Sequence, residues 1–204
     1  KCSVDVSFSP SLPGAAARAA RYSDPVTLAR SVRSLLLVAL VAAAPSPAGA
    51  EFWAAISGGA YLPTGTSDFG SFQASPTATL AGGYDWEYVG TSVWAGLVNT
   101  QAGILQESCF PVVGRVRVRL PLGLAVPYAY GGVGFAPTRA NLDLVPFYAV
   151  AFTAQTGAGV DLVFGDMFTI GAEGGYIWLS PTYGFGTVRL DGYLALATFA
   201  LRFP

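Results

Sequence analysis

The segment Val112–Pro121, VVGRVRVRLP, constrains this chain more than any other, because Arg115, Arg117 and Arg119 alternate with Val116, Val118 and Leu120. Successive side chains of a strand point to opposite faces, so one face carries three guanidinium groups and the other only aliphatic carbon. A helix would mix them. Arginine stays charged and is rarely buried unpaired, so its face needs water or acidic partners, while the opposite face needs protein core or lipid. An apolar outside and an ionic inside is what a small transmembrane β-barrel requires.

The composition agrees with that setting. Of 204 residues 52% are apolar and only 11% charged, and the mean hydropathy is +0.49. The apolar residues are dispersed, without a run of about 18 that would span a bilayer as a helix. Abundant Gly, Pro and aromatic residues point to short strands and turns. The longest apolar run, Leu35–Ala44, follows Arg30 and Arg33 and leads through Pro45 and Pro47 to Ala48-Gly49-Ala50. A basic flank, an apolar centre and an A-x-A exit read as a secretory signal peptide over 25–50, with cleavage before Glu51. Residues 1–24 are expected to be a leader extension outside the working protein. The working protein is then residues 51–204.

The first 50 residues hold five of the 11 basic and two of the 12 acidic residues, which leaves six arginines against ten acids and a formal charge of −4. A basic nucleic-acid footprint is absent. Cys109 is the one cysteine left after Glu51, and it is expected to be a loop thiol without a disulfide partner.

Beyond Glu51, turn residues divide the chain into eight alternating segments: 52–62, 77–88, 91–101, 112–121, 126–136, 148–164, 167–179 and 192–203. Loops are expected at 64–76, 102–111, 137–147 and 180–191, with short turns at 89–90, 122–125 and 165–166. The prolines from Pro63 to Pro204 are expected at strand boundaries or in loops, since proline cannot donate to a ladder. The fold class is therefore all-β: an eight-stranded antiparallel up-and-down transmembrane barrel preceded by a signal peptide. Its inward faces place Asp85, Glu87, Asp161 and Glu173 with Arg115, Arg117, Arg119 and Arg202 as a lumen charge network. Turning the arginine strand to lipid would cost on the order of 10 kcal/mol. Which acid meets which arginine depends on barrel shear and stays open. Gly83, Gly132, Gly157 and Gly159 are expected to leave room for the long arginines. Aromatic belts are expected at both interfaces: Trp86, Tyr88, Phe164, Phe168 and Phe203 near the turns; Phe135, Phe152, Tyr176, Trp178 and Tyr193 near the loops. Arg117→Leu or Glu173→Leu should destabilise the barrel by leaving charges unpaired.

The segments VPYAYGGVGF and GAGVD and the closing strand GYLALATFALRF make residues 51–204 resemble the small OmpA/OmpX-like outer-membrane β-barrels. The resemblance implies a bacterial outer-membrane location, with outer-membrane lipid and lipopolysaccharide as surroundings and a monomeric state. It also implies that Tyr193, Phe199, Leu201 and Phe203 serve as the signal read by the outer-membrane assembly machinery; Pro204 follows the aromatic that usually ends such chains.

The chain has no histidine, which removes Ser-His hydrolysis and leaves poor material for a metal centre. GGVGFA and GAGVDLVFG lack a following helix and most positions of a phosphate loop. No catalytic residue, cofactor or metal is expected. Two functional classes stay open: an envelope or surface-interaction barrel acting through its outer loops, and a narrow channel or lateral conduit for a small or apolar solute. A soluble exported lipocalin-like binder is the third reading.

Overall fold

The computed structural model of the chain describes residues 50–143, 145–165 and 167–203. The leader, nearly all of the signal peptide, Leu144, Asp166 and Pro204 lie outside the described residues. The elements are β1 (Glu51–Pro63), β2 (Thr66–Ser67), β3 (Gly70–Ser71), β4 (Ser75–Asp85), β5 (Val89–Ala102), β6 (Leu105–Cys109) and β7 (Val112–Arg119). Then follow β8 (Ala125–Leu142), β9 (Val145–Phe164), β10 (Phe168–Leu179), β11 (Thr182–Tyr183), β12 (Gly186–Thr187) and β13 (Gly192–Phe203). β6 and β7 occupy one wall between β5 and β8, and β1 pairs with β13 from Phe52↔Phe203 to Pro63↔Gly192. That pairing closes a barrel of eight antiparallel walls. The small hairpins β2–β3 and β11–β12 belong to the outer end.

The arginine strand faces as its alternation demands. Arg115, Arg117 and Arg119 are buried, whereas Val116 and Val118 are more than half exposed. Ile56, Leu80, Leu97, Val133, Phe152, Leu162, Ile170 and Phe199 continue the outward apolar surface around the barrel. Such a surface suits acyl chains and would be costly in water, which opposes a soluble barrel. Rings gather at both rims: Phe52 meets Tyr84 and Phe203 near the turns, and Tyr176 meets Trp178 and Tyr193, each at 4.9 Å, near the loops.

Four sequence expectations change. The segments 102–111 and 137–147 are largely strand, because β5–β6 and β8–β9 run on as hairpins past the apolar band. There the outward residues turn polar: Asn99, Gln101, Gln106, Ser108 and Arg139 are exposed. The hairpin tips use positive φ at Gly103 (58°) and Asp143 (47°), a conformation glycine and aspartate tolerate better than most residues. Cys109 is accordingly a buried strand residue rather than a loop thiol.

Pro137 lies inside β8. Its carbonyl accepts the Phe110 N–H at 3.0 Å, and that of Pro111 accepts the Gly96 N–H at 3.0 Å. Neither proline can return the reciprocal bond, which is why the fourth wall is interrupted between β6 and β7.

The first turn comes earlier than expected, with the Trp86 N–H donating to the Val89 carbonyl at 2.7 Å. Finally, the interior is not polar throughout. At the outer end Tyr61, Trp94, Val98, Leu105, Val113, Ile177, Leu179, Leu190 and Leu194 form an apolar core, and Phe72, Tyr183 and Val188 close over it.

Candidate functional site: an ionic lumen beneath an apolar plug

The arginines of β7 project inward at two-residue intervals, so their heads form a ladder along the barrel interior. Asp85, the last residue of β4, is fully buried and serves as its hub. Arg117 donates from Nε to Asp85 Oδ1 at 2.8 Å and from a terminal nitrogen to Oδ2. Arg119 reaches the same Oδ2 at 2.9 Å and Arg202 at 3.6 Å. A forked guanidinium–carboxylate pair satisfies charge and hydrogen-bond geometry together, which burial requires. Arg117 also lies 3.7 Å from Asp161, and Arg202 is 3.1 Å from the rim residue Glu51.

One step outward, Arg115 donates to Gln155 Oε1 at 2.8 Å and pairs with Glu173 at 3.3 Å. The Tyr128 hydroxyl donates to Glu173 at 3.2 Å. Aromatic faces support both arginines: Arg115 lies 4.5 Å from the Trp94 ring and 4.3 Å from Tyr130, and Arg117 lies 4.2 Å from Trp53 and 5.5 Å from Tyr128. Desolvated contacts of this kind stabilise a guanidinium by about 2 kcal/mol.

Seven of the eight residues expected in the charge network therefore come together. Glu87 does not: β4 ends at Asp85, and Glu87 is exposed in the turn that follows. The alternation from Asp85 to Glu87 reads as one more strand step, but the early turn breaks it. Glu51, Gln155, Trp53, Trp94, Tyr128 and Tyr130 were not among the expected members. Tyr128 and Tyr130 lie directly across the ladder from Arg119 and Arg117, a proximity visible only once register is known. The glycines have a refined role too. A Cβ at Gly132 would crowd Arg115, but at Gly157 and Gly159 it would strike Tyr130 and Tyr128, so those two make room for the rings that carry the arginines.

A lumen cavity of about 30 Å³ is lined in part by Trp53, Arg117, Asp161, Thr169, Glu173 and Arg202. That is room for one or two waters, not for a solute. Outward of it, Trp94 begins the apolar core, so the interior is filled by ion pairs at the turn end and by hydrocarbon and rings at the loop end. The assembly signal expected on β13 has the matching orientation, with Tyr193, Phe199, Leu201 and Phe203 all on the outward face.

The barrel superposes on the crystal structure of Neisserial surface protein A with a TM-score of 0.60 at 13% identity, over 76% of this chain and 97% of that one. It also superposes on the outer membrane protein OprG from Pseudomonas aeruginosa, with a TM-score of 0.55 at 12% identity, over 76% of this chain and 96% of that one. No protein-family model matches the sequence, and no curated protein does. The chain has the fold of the small eight-stranded outer-membrane β-barrels.

Proposed function

We propose that this protein is an integral barrel of the bacterial outer membrane that serves envelope structure or surface interaction with its lumen closed. The observation that carries this reading is the doubly filled interior: a charge-paired lower storey and a packed apolar upper storey, neither leaving a passage wider than water. What remains available to partners is the outer end, built from the hairpins β2–β3, β5–β6, β8–β9 and β11–β12. Lipid and lipopolysaccharide surround the apolar band, and the molecule works as a monomer. The signal peptide directs export and is removed before Glu51, where β1 begins and where Glu51 meets Arg202. The outward rings of β13 guide insertion by the assembly machinery.

Planar-bilayer recording tests the closed lumen. The reconstituted protein should give no reproducible conductance; steady unitary currents would overturn the reading in favour of a narrow channel or conduit. One observation keeps a conduit for apolar solutes as the second reading, namely that the outer half of the interior is lined by apolar side chains. Uptake of an apolar fluorophore by vesicles carrying the protein, absent from protein-free vesicles, would support it.

A further inference from the structure

Glu107, on the inner face of β6, stands apart from the charge network. It is 1% exposed, and its level in the barrel is that of Ala140 and Phe147, beyond the apolar band. Oε2 accepts a hydrogen bond of 2.7 Å from the Tyr183 hydroxyl. Oε1 is buried without a hydrogen-bond partner, and among the described residues no cation lies within ion-pair distance. The elements around it bring Thr100 from β5, Thr138 and Ala140 from β8, Cys109 from β6 and Tyr183 from β11. Only Tyr183 and Cys109 of these titrate, and neither supplies a positive charge.

Tyr183 belongs to the hairpin that closes the outer end. Its ring stacks on Phe185 at 5.2 Å, and Phe185 meets Phe147 of β9 at 4.9 Å and Phe69 of the β2–β3 hairpin at 6.3 Å. The Tyr183 hydroxyl thus ties this aromatic cap to the barrel wall through a carboxyl group that lacks the partners a buried charge needs.

We infer that Glu107 is a proton-dependent latch: protonated, it holds the cap segment 180–191 closed, and ionised, it loosens that segment. The step moves one proton between the carboxyl group and water. When the cap is closed, burial pushes the Glu107 carboxyl up to about 7, against the opposing pull of the Tyr183 hydrogen bond. The open form exposes the group and returns it toward its ordinary 4.5. A group that binds its proton more tightly when closed favours closure at low pH and loses that contribution as pH rises between the two values. Burial also raises the Tyr183 hydroxyl, so it remains a donor throughout.

The test is hydrogen exchange of segment 180–191 in the full barrel in detergent, from pH 4 to pH 8.5, corrected for intrinsic exchange. Protection should fall as pH rises through this window, by up to about 300-fold, tenfold for each pH unit separating the two states. It should then level off. Glu107→Gln should remove the pH dependence. Tyr183→Phe keeps the ring but removes the bond that lowers the carboxyl, so its midpoint should move upward. A flat profile in the unaltered protein, the same pH dependence in Glu107→Gln, or an unshifted midpoint in Tyr183→Phe would overturn the latch. The closed-lumen reading is judged separately, by conductance.

Discussion

Arg117 grips Asp85 with two guanidinium nitrogens, and the same buried carboxylate is within ion-pair reach of Arg119 and Arg202. One acid therefore holds three arginines that arrive from two strands distant in sequence. The pair ties β4 to β7 across the barrel interior and makes Asp85 the least replaceable charge of the lumen.

Asp85→Asn should destabilise the barrel by about 3–5 kcal/mol, the cost of leaving buried charges uncompensated. Glu173→Gln should cost less, because Arg115 keeps Gln155 and two aromatic faces. Urea unfolding in detergent, followed by heat-modifiable gel mobility, compares the two. Equal losses would remove Asp85 from its position as hub.

Trp94 separates the ionic storey from the apolar one and is 1% exposed. Trp94→Ala should lower stability by about 3–5 kcal/mol through lost contact and residual cavity. The same unfolding assay reads it, and a loss below 1 kcal/mol would mean that the outer core is not close-packed around this ring.

Leu80 and Tyr148 are almost equally exposed, at 62% and 64%, but Leu80 faces the apolar band and Tyr148 lies beside Arg139 beyond it. Leu80→Arg should cost about 2–4 kcal/mol in vesicles, while Tyr148→Arg should be close to neutral. If both were neutral, the outward surface would not be in lipid.

A Cβ at Gly157 would lie 2.5 Å from the Tyr130 hydroxyl and closer still to the Gly174 carbonyl. Gly157→Ala should therefore destabilise by about 1–3 kcal/mol, since a backbone atom cannot yield as a side chain can. Gly58, whose added Cβ meets nothing within 4 Å, provides the control: Gly58→Ala should be tolerated, as thermal unfolding in detergent would show.

Much of this was legible from local pattern. The orientation of Arg115 to Leu120 follows from the two-residue period of a strand and the incompatibility of arginine with lipid. The inward placement of Asp85, Asp161, Glu173 and Arg202 came from the same rule. Glu87 failed because one turn began three residues early, a choice made by the Trp86–Val89 hydrogen bond rather than by alternation. Pro137 failed because a proline is admissible within a wall wherever its missing donor coincides with an interruption of the neighbouring strand.

The sequence by itself determined the faces of the arginine strand, the closed eight-walled architecture and the ionic character of the turn-side lumen, because side-chain alternation is a local consequence of backbone geometry. Only the tertiary structure decided that Asp85 takes three arginines, that Tyr128 and Tyr130 brace the ladder, and that an apolar plug with Glu107 beneath Tyr183 fills the outer end. Those relationships depend on register and closure, which bring residues together across the barrel, and a chain read in one dimension carries no distance between its walls.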